Sequence, residues 1–121
     1  SFTVELPEAF PEVPMQPVLL GWVLENLLRN AMDAMNGKGD LTISGQVLAR
    51  KVIIDVTDSG KGMSPRVKRS VFNPGFTTKT RGWGLGLSLS KRIIEAGHKG
   101  QLTVYRSAPG EGSTFRIELP R

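Results

Sequence analysis

The chain has no cysteine among its 121 residues, which excludes disulfide bonds and metal sites built from thiolates. It also lacks an apolar run near the ~18 residues that a membrane-spanning helix needs. No signal peptide is recognisable. Histidine occurs once, as His98, in a turn-like segment where a structural role explains it without chemistry. The missing cysteines fit a reducing compartment.

The composition is that of one globular domain covering residues 1–121. Hydrophobic residues make up 39% and charged residues 22%, so the chain can bury one core and is not expected to be disordered. It begins at Ser1 without a methionine. We therefore expect a segment of a larger protein, monomeric on its own.

The net charge of +5 admits two explanations. Basic residues are spread along the chain, so an ordinary solvated surface accounts for much of the excess. The alternative is a local anion site in residues 79–92. Four basic residues flank a glycine-rich stretch there: Lys79, Arg81, Lys91 and Arg92. No basic strand with interleaved aromatics occurs, so no nucleic-acid partner is expected.

Hydrophobic periodicity and breaker residues divide the chain into helices and strands. Residues 2–6 alternate as a half-buried strand does, four prolines predict a loop at 7–17, and Ser64-Pro65 is typical of a helix start. The remaining predictions are helices at 18–35 and 85–96, a loop at 73–82, and strands at 40–48, 51–57, 101–107 and 113–119. This order predicts an α/β (α+β) fold, a two-layer sandwich with a mixed five-stranded sheet and about three helices packed on one face.

Polar residues form a stripe on the first long helix. Asn26, Asn30 and Asp33 recur at helical spacing and fall within about 60° of one another. A solvated helix face would explain this stripe, and Glu25 with Arg29 would be an ordinary i, i+4 ion pair. Alternatively, the amide oxygens line a cleft and help to hold a hydrated Mg²⁺, which prefers oxygen ligands.

Two glycine segments also have two interpretations each. Asp58-Ser59-Gly60-Lys61-Gly62 follows a strand and is explained either as a turn or as a carboxylate that accepts a hydrogen bond from adenine. Residues 82–86 lead into a helix, where backbone N–H groups favour phosphate, although turn chemistry also explains them. The preceding residues are a loop and no GxxxxGK[ST] occurs, so neither a dinucleotide fold nor a P-loop is supported.

Five segments, taken in order, resemble the conserved boxes of sensor histidine kinases in the GHKL ATPase/kinase superfamily. They are ENLLRNAMDAM at 25–35, DSGKGM at 58–63, VFNPGFTTK at 71–79, GWGLGLSLSKRIIE at 82–95 and GEGSTFRIELP at 110–120. Gyrase, heat-shock chaperone and mismatch-repair ATPases belong to the same superfamily, but the sequences FTTK and GLGLSL favour the kinase branch.

The resemblance implies the residues of an ATP–Mg²⁺ site. The nucleotide contacts that it implies are Asn30, Asp33, Asp58, Gly60, Gly62, Met63, Thr78, Arg81, Gly82, Gly84, Leu85, Gly86, Leu87 and Thr114. Asp58 would bind the adenine amine, with the hydroxyl of Thr114 near it. Mg²⁺ would be bound by Asn30, with Asn26 as a second candidate ligand.

The resemblance also implies catalytic residues and a lid. The catalytic candidates are Glu25, Asn26 and Lys79, of which Lys79 would reach the phosphates from an ATP lid at about residues 73–83. This lid is short. Trp83 stands where the family commonly has a small hydroxyl residue, so one side-chain contact to phosphate is lost, and we expect Trp83 to pack against the lid or a neighbouring domain.

The implied function is to supply the γ-phosphate of ATP for phosphorylation of a histidine on a separate helical dimerisation domain. No such hairpin is present in this sequence, so little turnover is expected from the chain alone. A response regulator would be an indirect partner, and the domain would work in the cytoplasm even if its parent kinase is anchored in a membrane. Two alternatives remain: an ATPase switch of the same superfamily, and an interaction module that binds no nucleotide.

Overall fold

The computed structural model of the chain describes residues 1–7, 11, 13–76 and 86–121. Five strands form one sheet: β1 (Phe2–Glu5), β2 (Leu41–Val47), β3 (Lys51–Asp58), β4 (Gln101–Ser107) and β5 (Ser113–Pro120). Three helices accompany them: α1 (Pro17–Ala34), α2 (Pro65–Ser70) and α3 (Gly86–Arg92), which continues as a π-helical turn at Ile93–Gly97. The predicted α/β sandwich with a five-stranded sheet is confirmed.

The sheet has the strand order β1-β2-β3-β5-β4 and is mixed. Only β1 runs parallel to its neighbour, and the other pairs are antiparallel. In this register Asp58, the last residue of β3, lies opposite Leu41 on one side and Ser113 on the other. The end of the central strand is therefore flanked by the start of β2 and the start of β5.

Helix α1 packs its apolar stripe on the sheet. Leu20, Val23, Leu27 and Ala31 are buried at helical spacing and meet strand residues such as Val56 and Phe115 in one core. Pro17 was expected in the preceding loop, but it occupies the first turn of α1, because that position needs no N–H donor. The helix ends where Asn36 adopts a positive φ of 53°.

The opposite face of the sheet carries polar pairs. Arg116 donates two hydrogen bonds to Asp55, at 2.8 and 2.9 Å, and its guanidinium stacks 3.5 Å from the ring centre of Tyr105. Hydrogen bonding to Asp55 raises the pKa of Arg116. Lys51 and Glu118 form a second ion pair on this face. Polar side chains thus satisfy one another where no helix covers the sheet.

Two predictions about secondary structure were wrong in detail. The first strand was expected to be half-buried, but all four residues of β1 are exposed, because it is an edge strand beside β2 alone. The helix expected at 85–96 stops being α-helical after Arg92. The predicted N-cap is confirmed, since the Ser64 hydroxyl accepts a hydrogen bond from the Val67 N–H at 3.3 Å.

His98 has the structural role that was expected of it. It is 6% exposed and caps the π-helical turn. Its Nε2 accepts a hydrogen bond from the Gln16 N–H at 2.8 Å, and its Nδ1 lies 3.0 Å from the Ile93 carbonyl oxygen. This geometry fits a neutral ring with the proton on Nδ1, which connects the residue before α1 to the end of α3. Within the described ranges, no helix is long and apolar enough to cross a membrane.

Candidate functional site

The carboxylate at the end of β3 is buried. Asp58 is 4% exposed, and its Oδ1 accepts a hydrogen bond from the Gly60 N–H at 2.8 Å. Burial raises the pKa of Asp58, while hydrogen bonds from the backbone N–H groups of Gly60 and Ser113 partly oppose that shift by stabilising the charged form. A carboxylate held in this way has a fixed orientation and oxygen lone pairs left for a ligand N–H.

The two glycines after Asp58 are required by backbone packing. A Cβ on Gly60 would lie 2.6 Å from the carbonyl oxygen of Ala34, at the end of α1. Gly62 has a positive φ of 68°, and a Cβ there would collide with the carbonyl oxygen of Ala108. The Lys61 N–H also donates to the Ala34 oxygen, at 3.0 Å. The turn interpretation thus accounts for both glycines, and their nearness to a base stays a prediction.

The strand residue that lies opposite Asp58 is Ser113 and not Thr114, and the role expected for the Thr114 hydroxyl stays a prediction. Asp58 pairs with Ser113, whereas Thr114 pairs with Thr57, and neighbouring strand residues point to opposite faces. Thr114 therefore lies on the open face, where its hydroxyl is 3.0 Å from that of Thr57. The hydroxyl of Ser113 is instead 2.7 Å from that of Ser107. Side chains of directly paired residues point to the same face of a sheet. Knowing that Asp58 pairs with Ser113 would therefore have been enough to identify Ser113.

The asparagine stripe meets the second glycine segment. The α-carbon of Gly86 lies so close to Asn26 that an added Cβ would be 2.6 Å from the amide nitrogen. One turn further along α3, the buried hydroxyl of Ser90 accepts a hydrogen bond from Asn26 Nδ2 at 3.3 Å. This bond uses the amide N–H, and within the described residues Asn26 Oδ1 has no hydrogen-bond partner. Ser90 was not predicted, although its i+4 spacing from Gly86 was visible.

The other members of the stripe are less enclosed. Asn30 is half-buried, and its side chain has no hydrogen-bond partner among the described residues, while Asp33 is exposed. Glu25 forms the expected ion pair with Arg29, at 3.1 Å, and both side chains are about two-thirds exposed, at 68% and 67%. The polar stripe is therefore partly a solvated helix face, as the first interpretation predicted. At Asn26 it also contacts α3.

Helix α1 connects the two glycine segments. Asn26 contacts Gly86, and Ala34 contacts Gly60. These two residues are eight positions apart, which is about 12 Å along an α-helix. Asn30 lies midway between them. The glycine turn after Asp58 and the asparagine–glycine contact thus lie at two ends of one helix.

Several predicted contacts lie outside the described residues. These are Thr78, Lys79, Arg81, Gly82, Trp83, Gly84 and Leu85, with most of the lid predicted at 73–83. Met63 and Leu87 are described, and both are partly buried against the core. Lys91, from the proposed anion site at 79–92, is bound by Glu95 and by the Leu102 carbonyl oxygen, each at 2.8 Å. Its charge is therefore already balanced within the fold.

The family model described as "Histidine kinase-, DNA gyrase B-, and HSP90-like ATPase" matches residues 15–121. The chain belongs to this ATPase family. Sensor histidine kinase ZraS of Salmonella typhi is 41% identical over 114 residues, which cover 93% of this chain and 24% of that protein. The chain thus spans about a quarter of the length of such curated relatives.

Solved structures place this ATPase domain in the histidine kinase branch. The catalytic domain of histidine kinase ThkA in a nucleotide-free form has a TM-score of 0.87 and 33% identity, covering 98% of this chain and 78% of that one. Histidine kinase ThkA in complex with response regulator protein TrrA matches with a TM-score of 0.82 and 30% identity, covering 98% of this chain and 33% of that one. The resemblance inferred from the five segments is confirmed.

Proposed function

We propose that this domain binds ATP with Mg²⁺ and supplies the γ-phosphate for phosphorylation of a histidine on a separate helical dimerisation domain, in two-component signalling. The observation that carries the proposal is the position of α1, which contacts one glycine segment through Ala34 and the other through Asn26. Adenine would bind at Asp58 and the phosphates near Asn26 and Gly86. The domain would work in the cytoplasm, and its phosphorylated partner would pass the group to a response regulator.

Asp58 would distinguish adenine from guanine. Its buried carboxylate accepts two backbone N–H bonds and can accept a third from the exocyclic amine of adenine, whereas guanine presents a carbonyl at that position. Two acceptors facing each other without a proton are unfavourable, so GTP would be rejected. Ser113, beside Asp58 in the register, would add a hydroxyl at the same end.

The residues of α1 fit a hydrated Mg²⁺. Within the described residues, the Asn30 side-chain amide has no hydrogen-bond partner, and the hydrogen bond to Ser90 uses the N–H and not the oxygen of the Asn26 amide. Amide oxygens are suitable ligands for this hard cation, which keeps several waters and binds phosphate oxygens as well. When bound, Mg²⁺ neutralises charge on the phosphates. Gly86, at the start of α3, presents backbone next to Asn26 and would let a phosphate come close.

Exposed apolar residues near this end fit a helical phosphoacceptor domain. Val18 is 85% exposed, Trp22 is 40% exposed, and Leu89 of α3 is 43% exposed. Trp22 lies one turn before Asn26, and Leu89 is next to Ser90, so the apolar patch borders the Asn26–Ser90 contact. A partner helix on this patch would bring its histidine towards the phosphate end. Glu25, exposed on the same helix and paired with Arg29, is the candidate for proton transfer there.

Isothermal titration calorimetry with ATP and GTP, each with and without Mg²⁺, tests nucleotide binding. We expect ATP to bind in preference to GTP and Mg²⁺ to strengthen ATP binding. Equal affinities for both nucleotides would contradict the adenine role of Asp58. No binding of either would favour an interaction module that needs no nucleotide.

A second experiment separates the kinase from an ATPase switch. The domain is mixed with a helical-hairpin phosphoacceptor domain of a related sensor kinase and radiolabelled ATP. We expect acid-labile phosphate on the histidine of the hairpin, and none on a hairpin whose histidine is replaced by glutamine. Steady ATP hydrolysis without phosphohistidine would support the switch instead.

A further inference from the structure

Positive charge is concentrated in one part of this chain. Residues 61–106 contain ten of the sixteen Lys and Arg residues but only one of the eleven acids, Glu95. The rest of the chain has more acids than bases. Within the described residues, this basic part includes α2, α3 and β4, which lie together at one edge of the sheet. Helices α2 and α3 carry five of these cations, Arg66, Lys68, Arg69, Lys91 and Arg92, and together with β4 they form what we call the basic surface.

A pocket of about 390 Å³ opens on this surface between α2, α3 and β4. Its apolar walls are Pro65, Phe72 and Val104, and its cations are Lys68, Arg69 and Lys91. Asp58, Asn30 and Gly86 do not line it, so it is separate from the proposed nucleotide site. Its volume lies in the range of ligand-binding clefts, about 300–1,000 Å³.

One side of the pocket is held rigidly by Lys91 and Phe72. The Lys91 ammonium is bound by Glu95 and by the Leu102 carbonyl oxygen, and it lies 4.7 Å from the centre of the Phe72 ring. The Phe72 ring packs edge-on against Phe115, with 6.1 Å between ring centres. The pocket wall is thereby formed before any ligand arrives, which lowers the entropy that binding must overcome.

The cations on the other side have no partner. Lys68 and Arg69 make no side-chain hydrogen bond or ion pair with any residue in the described ranges, and Arg66 on the same short helix makes none either. Three like charges within one helix without an acid are unfavourable for the isolated domain. Together with the apolar floor, they favour a partner that brings carboxylates and an apolar side chain.

We propose that this pocket binds an acidic peptide segment of a partner protein, with one apolar side chain of the segment on Phe72 and Val104 and its carboxylates on Lys68 and Arg69. The geometry disfavours nucleic acid, because Lys91 covers one face of the Phe72 ring and, among the described residues, no second aromatic side chain lines the pocket to stack with successive bases.

The test is NMR titration of the ¹⁵N-labelled domain with an eight-residue peptide that has one leucine between aspartates and glutamates. We expect amide shift changes at Lys68, Phe72 and Val104, and at least tenfold weaker binding when Lys68 and Arg69 are both replaced by glutamate. The matched control reverses Lys38 and Arg50, two exposed cations outside the basic surface, and should leave peptide binding within twofold of wild type. Both double variants should keep the wild-type thermal midpoint and ATP affinity.

One further peptide decides between a pocket and general charge attraction. A peptide with serine in place of leucine should bind at least fivefold more weakly than the leucine peptide. Equal binding of the two peptides, or no binding of the leucine peptide at millimolar concentration, overturns the proposal. So does tighter binding of a single-stranded oligonucleotide or of phosphatidylglycerol vesicles that is lost on Lys68→Glu/Arg69→Glu, since the surface would then serve another class of partner.

Discussion

The two ends of the proposed nucleotide site are built in different ways. At the Asp58 end, the side chain is buried and the glycines pack against backbone, with Gly60 on Ala34 and Gly62 on Ala108. At the asparagine end, contacts run between side chains and a single glycine, Gly86, and Asn30 has no hydrogen-bond partner in the described part of the chain. The first end is part of the packed backbone, whereas the described contacts at the second end run through side chains.

This difference suggests a division between stability and binding. Changes at the Asp58 end should affect folding as well as nucleotide, because buried backbone cannot move to accept new atoms. Changes at the asparagine end should affect nucleotide and Mg²⁺ with little effect on folding, because half-exposed side chains can move aside. The following predictions test that division, beginning with the largest expected effect and ending with the smallest.

The largest effect is expected for Gly62→Ala. The positive φ of 68° and the collision with the Ala108 carbonyl oxygen strain the folded state in two ways. We expect a loss of about 3–5 kcal/mol in the free energy of unfolding, measured by urea denaturation.

Gly86→Ala is the matched substitution at the other end. Its Cβ would meet only the end of the Asn26 side chain, which can rotate away. We expect a loss of at most about 1 kcal/mol in stability but a clear loss of ATP affinity by calorimetry. If Gly86→Ala destabilised the fold as much as Gly62→Ala, the comparison between the two ends would be wrong.

Asn30→Ala should weaken Mg²⁺-dependent ATP binding at least about tenfold, or ~1.4 kcal/mol, and leave the unfolding midpoint nearly unchanged. The reason is that its amide is a candidate metal ligand with no structural hydrogen bond. Calorimetry with and without Mg²⁺ measures the effect. Arg29→Ala, one residue earlier, removes only an exposed ion pair and serves as the control. A loss of ATP affinity that is equal with and without Mg²⁺ would count against the metal role.

Asp58→Asn should weaken ATP binding by about 1.5–3 kcal/mol, the value of a hydrogen bond to a charged group. It should weaken GTP binding far less.

The Asp58→Asn substitution should also change the pH dependence of stability. The folded state raises the pKa of Asp58 above its ordinary value of 3.8, so the folded protein holds this proton more tightly than the unfolded chain.

Stability contributed by Asp58 is therefore present below pH 3.8 and is lost as pH rises through the raised pKa. The asparagine in Asp58→Asn has no proton to release, so this loss of stability with rising pH should be absent from the variant. Thermal midpoints of both proteins across this pH range measure the difference. If the thermal midpoints of the two proteins changed identically with pH, burial would not control the titration of Asp58.

The smallest effect distinguishes two neighbours on β5. Ser113→Ala should weaken ATP binding by about 0.5–1.5 kcal/mol, because its hydroxyl lies at the Asp58 end. Thr114→Ala should leave ATP binding unchanged, because that side chain contacts Thr57 on the open face. The opposite result in calorimetry would restore the original assignment of Thr114.

Most of the architecture could be predicted because local patterns agree with the fold. The apolar stripe of α1, the Ser64-Pro65 start of α2 and the alternation of β4 and β5 each identify an element without tertiary information. The exposure of β1 could not be predicted, because alternation in an edge strand looks the same as alternation in a covered one. The pairing of Ser113 rather than Thr114 with Asp58 could not be predicted for a similar reason, because it depends on the register between two strands whose paired residues, Asp58 and Ser113, are 55 positions apart.

The amino-acid sequence by itself determined the family, the element order and the residue types at the site. Those depend on ordered motifs and on periods of two and 3.6 residues, which are local properties. Only the tertiary structure decided which glycines pack against backbone, which hydroxyl lies beside Asp58 and which lysine is already neutralised. These are contacts between distant segments, and their geometry is set by sheet register and helix packing. The pocket between α2, α3 and β4 belongs to the second group, because no local pattern brings Lys68, Phe72 and Val104 together.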